Sequence, residues 1–194
     1  MPTRCAWVTD DPIYIDYHDN EWGVPVYNSQ QLFTMLLLEG MQAGLNWLTI
    51  LKKRPALLVA FDQFDPQIIA HYDNKKIQQL MGNTAIIRNR LKIQACITNA
   101  KAYLNHCRQH DFSQWIWEFV DHQPIINHWQ THEDVPAHTS LSQNLSHALK
   151  QIGFTFVGPT ICYAFMQAVG MINDHTSDCF CYDRRSSSYS SSNT

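Results

Sequence analysis

Apolar residues recurring every three to four positions, cut by proline and glycine and almost never set in strict alternation, confine this chain to helices. The segment 31-QLFTMLLLEGMQAGLNW-47 is the strongest instance: Leu32, Phe33, Leu36 and Leu37 share one face, and Ser29 is placed to cap the start. Trp47–Lys53 continues helically until Pro55, which pushes Arg54 out of the helical region and opens a second apolar stretch, Ala56–Phe61. Asp65-Pro66 is a cap with proline at the first helical position, and Asp73 is a second cap ahead of Lys75–Met81. Gly82-Asn83 marks a turn before a long helix from roughly Ile86 to Cys107. Helices over Phe112–Val120, Leu141–Ile152 and from Pro159 to a Gly170 C-cap complete the pattern, with 122–138 a loop of two prolines and four histidines. The reading is all-α.

Glu39 breaks the first helix's apolar face. It lies three residues beyond Leu36 and seven beyond Leu32, so it points with them toward the interior. A carboxylate there is costly unless something pairs with it.

The net charge of −3 argues against a uniformly basic nucleic-acid binder, yet the distribution is uneven. Residues 1–51 hold one Arg and six acids, residues 52–101 nine Lys/Arg and three acids, and residues 102–194 four basic residues and eight acids. The middle segment's net +6 suits a polyanion such as DNA, although a solvated lysine-rich surface gives the same count. Within it, 80-LMGNTAIIRNRLKIQA-95 reads as a short helix, a tight turn and a second helix led by Arg88, Arg90 and Lys92. A helix-hairpin-helix holds a DNA backbone this way, with free amides at the second helix's start and cations beside them. Only Gly82 and Asn83 in this turn readily take positive φ.

The six cysteines lack the context of a secreted disulfide framework, and Cys96 and Cys162 read as small buried hydrophobes. His175 and Cys179 form an H-x3-C pair, and Cys5 and His18 bracket an aromatic, acidic stretch at the other end. Two thiolates and two imidazoles make a closed tetrahedral zinc site that clips the termini together, with Cys181 a rival to Cys179. With 45% hydrophobic residues in 194, one core is expected; no apolar run reaches membrane-spanning length and no signal-peptide core precedes it, so a soluble, cytoplasmic protein is expected. The tail 184-RRSSSYSSSNT-194 reads as disordered, and a monomer is the default expectation.

Seven blocks in order, CAWV at 5–8, YIDYHDNEWGVP at 14–25, LEGMQAGLNW at 38–47, FDP at 64–66, IIRNRLKIQA at 86–95, FVGPTICYAFMQA at 156–168 and NDH at 173–175, resemble the DNA-3-methyladenine glycosylase I family. The resemblance runs from residue 1 to about 182. It implies a helix-hairpin-helix glycosylase: one unit over 1–183, with a middle lobe of about 65–160 carrying the hairpin at 73–95. A second lobe, 1–64 plus 161–183, would hold a structural zinc ion. It implies zinc ligands Cys5, His18, His175 and Cys179, and a base pocket of Glu39, Tyr17 and Trp47 walled by Trp7, Tyr14 and Trp22. The implied partner is double-stranded DNA containing 3-methyladenine, and the implied products are free 3-methyladenine and an abasic site.

These residues suit that chemistry. A base must leave the stack to be reached, and Trp47 and Tyr17 offer flat faces to sandwich it. Methylation at N3 leaves the purine cationic, which aromatic faces and an ionised Glu39 both favour. Because the methylated base departs neutral, the protein needs mainly orientation and electrostatics rather than a strong general acid. Asp111 lies at a tempting distance from the hairpin, but the resembled family relies on no such aspartate. Leu45, beside Gly44, is placed to wedge into the vacated duplex. No lysine lies near Glu39 in sequence, Lys52 and Lys53 being nearest, so a monofunctional enzyme is expected. The other readings are a helix-hairpin-helix glycosylase for a different alkylated purine, and a non-catalytic zinc-stapled DNA-binding module.

Overall fold

The computed structural model describes residues 2–190, with side chains through Arg185. Ten α-helices account for most of it: α1 (Pro12–Asn20), α2 (Ser29–Gln42), α3 (Trp47–Ala60), α4 (Pro66–Ile69), α5 (Asn74–Gly82), α6 (Arg90–His106), α7 (Phe112–Glu118), α8 (Ser140–Gln151), α9 (Pro159–Ala168) and α10 (Phe180–Ser190). Two strands of two residues each, β1 (Ile125–Ile126) and β2 (Ile172–Asn173), pair in parallel and tie the 122–138 loop to the chain after α9. The all-α expectation holds. None of the described helices is long and apolar enough to cross a membrane.

Most helix starts are where short polar side chains can accept from the first free amides. Asp11, Asn28, Asn46, Asp65, Asp73, Asn89, Asp111 and Thr139 all do so. Asn28 rather than Ser29 caps α2, leaving Ser29 Oγ to accept from the amide of Ser113. Asp111 is the α7 cap and also accepts from Ser29 Oγ. At the C-terminal end of α9, Gly170 turns the chain at φ +72°, where a Cβ would lie 2.4 Å from the backbone nitrogen of Pro25.

Three helix boundaries differ from the sequence reading. Helix α3 runs straight through Pro55, because that residue is on the exposed side while Leu51 and Leu57 anchor the helix in the core. Helix α6 starts at Arg90, not Ile86, because the Asn89 side chain stops the helix there by accepting from the Lys92 amide at 3.2 Å. Helix α10 continues over residues 184–190, so that part of the serine-rich tail is helical; Arg185 is buried and donates to the Asp19 carbonyl at 3.0 Å. The remainder of the tail, 191–194, lies outside the described residues.

Helix α2 is the centre of the molecule. It packs on α9, α3, α6 and α7, with Leu32, Phe33, Leu36 and Leu38 fully enclosed. Its C-terminal half therefore delivers Glu39 to a place reached from several elements at once. One strained turn supports the neighbouring packing: Asp62, Gln63 and Phe64 all have positive φ, which costs roughly 1–2 kcal/mol per residue. Phe64 stacks on Phe61 at 5.3 Å, and Asp62 accepts from Tyr72 at 2.6 Å and Lys76 at 2.9 Å, which offsets that strain.

Candidate active site and metal centre

A cleft of about 260 Å³ opens above Glu39 and is lined by Trp7, Tyr14, Tyr17, Trp22 and Trp47. Every pocket residue inferred from sequence is present. Trp7 packs against Tyr14 and Trp22, each at 5.0 Å between ring centres, and Tyr17 meets Trp47 at 5.6 Å with the planes tilted by 53°. That last geometry corrects the sandwich expectation. A purine between two rings needs them roughly 7 Å apart, twice a stacking distance of about 3.5 Å, whereas these rings touch. They form adjoining walls.

Two buried polar atoms in this cleft have no protein partner: Glu39 Oε2 and Trp47 Nε1. Burial raises the Glu39 carboxyl to about 8. It follows that the acid carries its proton in the open cleft at neutral pH, whereas the sequence reading considers it only as an ionised carboxylate beside a cationic base. Burial also lifts the Tyr17 phenol well above its ordinary value, and the nearby Glu39 adds to this.

Sequence reasoning missed the rest of the lining, including Gln42, His132, Gln167 and Asp174. Asp174 is a hub: Asn127 and Trp129 donate to one oxygen, each at 2.7 Å, and Tyr163 (2.6 Å) and Gln167 (2.7 Å) to the other. Four donors satisfy the carboxylate, so it orients the wall instead of reaching into the cleft. The NDH motif was a signal for Asp174. His132 sits in a loop without periodicity and gave none.

Behind Trp22, the two chain ends meet. His18, His175, Cys179 and Cys181 place their ligand atoms within 4.8 Å of one another, and all four are buried. Cys5 is buried alongside, its sulfur 3.9 Å from Thr176 Oγ1. Both imidazoles are oriented for ligation. His18 Nδ1 donates to Asp19 Oδ1 and His175 Nδ1 to Asn173 Oδ1, each at 2.8 Å, which leaves a lone pair on each Nε2. His175 Nε2 is buried without a partner, and burial holds that imidazole down to about 3, hence neutral. Hydrogen bonds from Cys181 and Cys5 pull the Cys179 thiol down, while Cys179 and burial push the other two up. Two imidazoles and a pair of cysteine sulfurs are the donor types of a soft-to-borderline divalent cation. Cys181, weighed against Cys179 in the sequence, lies with it, and with His18 and His175 the two make a set of four donors; Cys5, expected as a ligand, is buried beside that set.

The basic segment is less open than its charge count suggests. Lys52 pairs with Asp11 at 2.6 Å, Arg54 with Glu21 in two contacts of 2.6 and 2.7 Å, and Lys76 with Asp62. Arg88 and Arg90 are exposed beside the start of α6 and have no side-chain partner among the described residues. Lys92 differs from the sequence reading. It turns inward, buried, and its amine donates to the carbonyls of Met41 (2.8 Å) and Ala43 (2.6 Å). Placed between Arg90 and the core on the first turn of α6, it faces the end of α2 rather than solvent. The turn between α5 and α6 also needs no left-handed residue: Asn83 Oδ1 accepts from the Ala85 amide at 2.9 Å, and Asn83 itself sits at φ −81°.

Gly44 lies at φ +76° with nothing near a notional Cβ, and Leu45 beside it is 41% exposed. Both sit at the mouth-side end of α2, between Gln42 and Trp47, which line the cleft.

The methyladenine glycosylase family profile matches residues 7–182. A DNA-3-methyladenine glycosylase of Haemophilus influenzae is 51% identical over 183 residues, covering 93% of this chain and 98% of that protein. DNA-3-methyladenine glycosylase 1 of Escherichia coli is 51% identical over 180 residues, covering 92% and 96%. A crystal structure of a 3-methyladenine DNA glycosylase I superposes with a TM-score of 0.91 at 51% identity, over 93% of this chain and all of the other. The Staphylococcus aureus enzyme, solved to explain its recognition of 3-methyladenine, superposes with a TM-score of 0.89 at 37% identity, over 92% and 96%. With the profile spanning nearly the whole described chain, and relatives matched end to end, the protein belongs to the methyladenine glycosylase family.

Proposed function

We propose that this protein is a monofunctional DNA glycosylase that extrudes 3-methyladenine from alkylated duplex DNA and hydrolyses its N-glycosidic bond, leaving an abasic site. The observation that carries it is the pair of orphaned buried polar atoms, Glu39 Oε2 and Trp47 Nε1, inside an aromatic cleft. Buried polar atoms without partners cost about 1–3 kcal/mol each, a cost recovered when a ligand supplies the missing bonds. Family membership and the activity named for the relatives support the same substrate.

Glu39 matches the methylated purine in two protonation states. As a neutral acid it accepts from the exocyclic amino group and donates to a ring nitrogen of the free base. When the cationic nucleotide enters, its positive charge favours the carboxylate, and the acid's proton is released to solvent. The C1′–N9 bond then breaks, its electron pair passing to N9 so that the base departs neutral; water adds to C1′ and loses a proton. Trp7, Tyr14, Tyr17 and Trp22 exclude solvent and present ring faces to the purine, and the Trp47 N–H donates to a ring nitrogen with a free lone pair. The Lys92 amine is engaged with two backbone carbonyls, in keeping with a monofunctional enzyme.

The metal centre is read as a structural zinc site held by Cys5, His18, His175 and Cys179, with Cys181 as a sulfur donor in reserve. Zinc bound there supplies no chemistry to the cleft; it fixes the segments that carry Trp7, Tyr14 and Tyr17 against the chain after α9. The α5–α6 hairpin is read as the phosphate anchor, through Arg88, Arg90 and the first amides of α6, and Leu45 as the wedge.

Methylated duplex DNA incubated with the protein is expected to release free 3-methyladenine, detected by chromatography, and Glu39→Gln to slow release by about a hundredfold. Release of a different alkylated purine in its place would redirect the substrate assignment. Binding without release of any base would leave a DNA-binding module.

A further inference from the structure

Two lysines cross-link the hairpin to the helices that build the cleft, and neither pairs with a carboxylate. Lys53 on α3 reaches the turn between α5 and α6, donating to the carbonyls of Thr84 (3.4 Å) and Ala85 (3.0 Å). Lys92 on the first turn of α6 reaches back to the last turn of α2, donating to Met41 and Ala43. A helix ends with free carbonyls and a partial negative charge, and α2 has no basic residue of its own in its last turn. Lys92 therefore caps α2 from a different helix. Burying an ammonium for this purpose is costly, and an ordinary glycine cap would do the same for stability alone.

The position of that cap is informative. Beyond Ala43 the chain makes a tight turn through Gly44 and Leu45, the Leu45 amide donating to the Gln42 carbonyl at 2.6 Å, before Asn46 is fixed as the cap of α3, accepting from the Thr49 amide at 2.8 Å. The loop is thus a two-residue tip clamped at both ends. One clamp belongs to α3; the other is a side chain of the helix whose start carries Arg90. We propose that Lys92 is a positioning residue for base extrusion, holding the Gly44-Leu45 tip at a fixed offset from the phosphate anchor on α6. Seating a phosphate at the start of α6 then places Leu45 against the duplex, and Glu39, one turn before Met41–Ala43, against the emerging base. The inference rests on the glycosylase reading given above.

The test uses Lys92→Met, which keeps a long buried stem and removes the ammonium, with Lys92→Arg as the conservative variant. Single-turnover release of 3-methyladenine is measured from a fully paired duplex and from the same duplex with the lesion in a mismatch, where extrusion costs less. Lys92→Met is expected to slow release from the paired duplex by about tenfold or more, since small misplacements of positioning groups cost that much. The loss should shrink at the mismatch, affinity for free 3-methyladenine should stay at the parent value, and Lys92→Arg should recover part of the rate. A fluorescent base analogue beside the lesion should show reduced unstacking in the methionine variant. Equal losses on paired and mismatched DNA, or no loss on either, would overturn the proposal, because a purely structural lysine does not distinguish them. If methionine unfolds the protein, Lys92→Gln, which retains a donor for one carbonyl, carries the same comparison. A parent protein that releases no base would remove the glycosylase reading and this one with it.

Discussion

Glu39 is where folding and function pull apart. It occupies a position that Leu, on the same stripe, would fill at lower cost, and burial raises its carboxyl to about 8. In the unfolded chain the acid titrates near its ordinary value, so between that pH and about 8 the folded state retains a proton that the unfolded state has lost. Stability contributed by this group is therefore complete in acid and declines as pH rises through about 8. Glu39→Gln removes the titration. The variant is expected to melt higher than the parent, with a gap that is small near pH 5 and widens to a few kcal/mol by pH 8. Melting curves at several pH values check this, and a constant gap would mean that the acid is not held neutral. Trp47 shows the same compromise, with an indole N–H left unpaired in the interior.

At the scale of elements, the aspartate and proline signals at helix starts were legible, because a side chain accepting from an amide two or three residues ahead is a local event, whereas the sequence reading omits the asparagine caps Asn28, Asn46 and Asn89. Asp65, Asp73 and Pro159 start helices where their sequence signals place them. Pro55 shows the limit of local reasoning: its missing N–H weakens one turn, yet the buried leucines on either side keep α3 continuous. The α5–α6 hairpin shows another, since its cations look alike in sequence but point in opposite directions. Arg88 and Arg90 are exposed and Lys92 is enclosed. Arg88→Ala and Arg90→Ala are each expected to weaken binding to undamaged duplex and to lower the slope of log affinity against log salt by about 1. Lys92→Met should leave that slope at the parent value. Titrations at several salt concentrations separate the two kinds of cation; an unchanged slope for both arginine variants would remove the hairpin as phosphate anchor.

Across the whole molecule, the chain ends form a unit with the cleft. Phe180 N donates to the Thr3 carbonyl at 3.0 Å, Arg4 pairs with Asp19 in two contacts of 2.8 and 2.7 Å, and Asp19 in turn orients His18. Trp22 touches His175 at 4.5 Å between ring centres, so the buried histidine and cysteine cluster and the aromatic wall are in direct contact. Stripping metal with a strong chelator is expected to lower Tm by on the order of ten degrees, with recovery on adding zinc. Replacing Cys179 and Cys181 together by serine should show the same loss with a zinc content near zero by elemental analysis. A parent that melts unchanged after chelation would remove the structural zinc site.

The sequence alone determined the helical class, the caps at Asp65 and Asp73 and the cysteine and histidine candidates, because periodicity, capping and side-chain chemistry are properties of short stretches; the aromatic set around Glu39 came from the family resemblance. The tertiary fold decided what depends on distance: the tilt that keeps Tyr17 and Trp47 from sandwiching a ring, the convergence of His18, His175, Cys179 and Cys181, the four bonds that saturate Asp174 and the inward turn of Lys92. The physical reason is that charge state and donor pairing depend on which groups approach through space. The neighbours of Glu39 and Lys92 include residues more than a hundred and about fifty positions away, respectively.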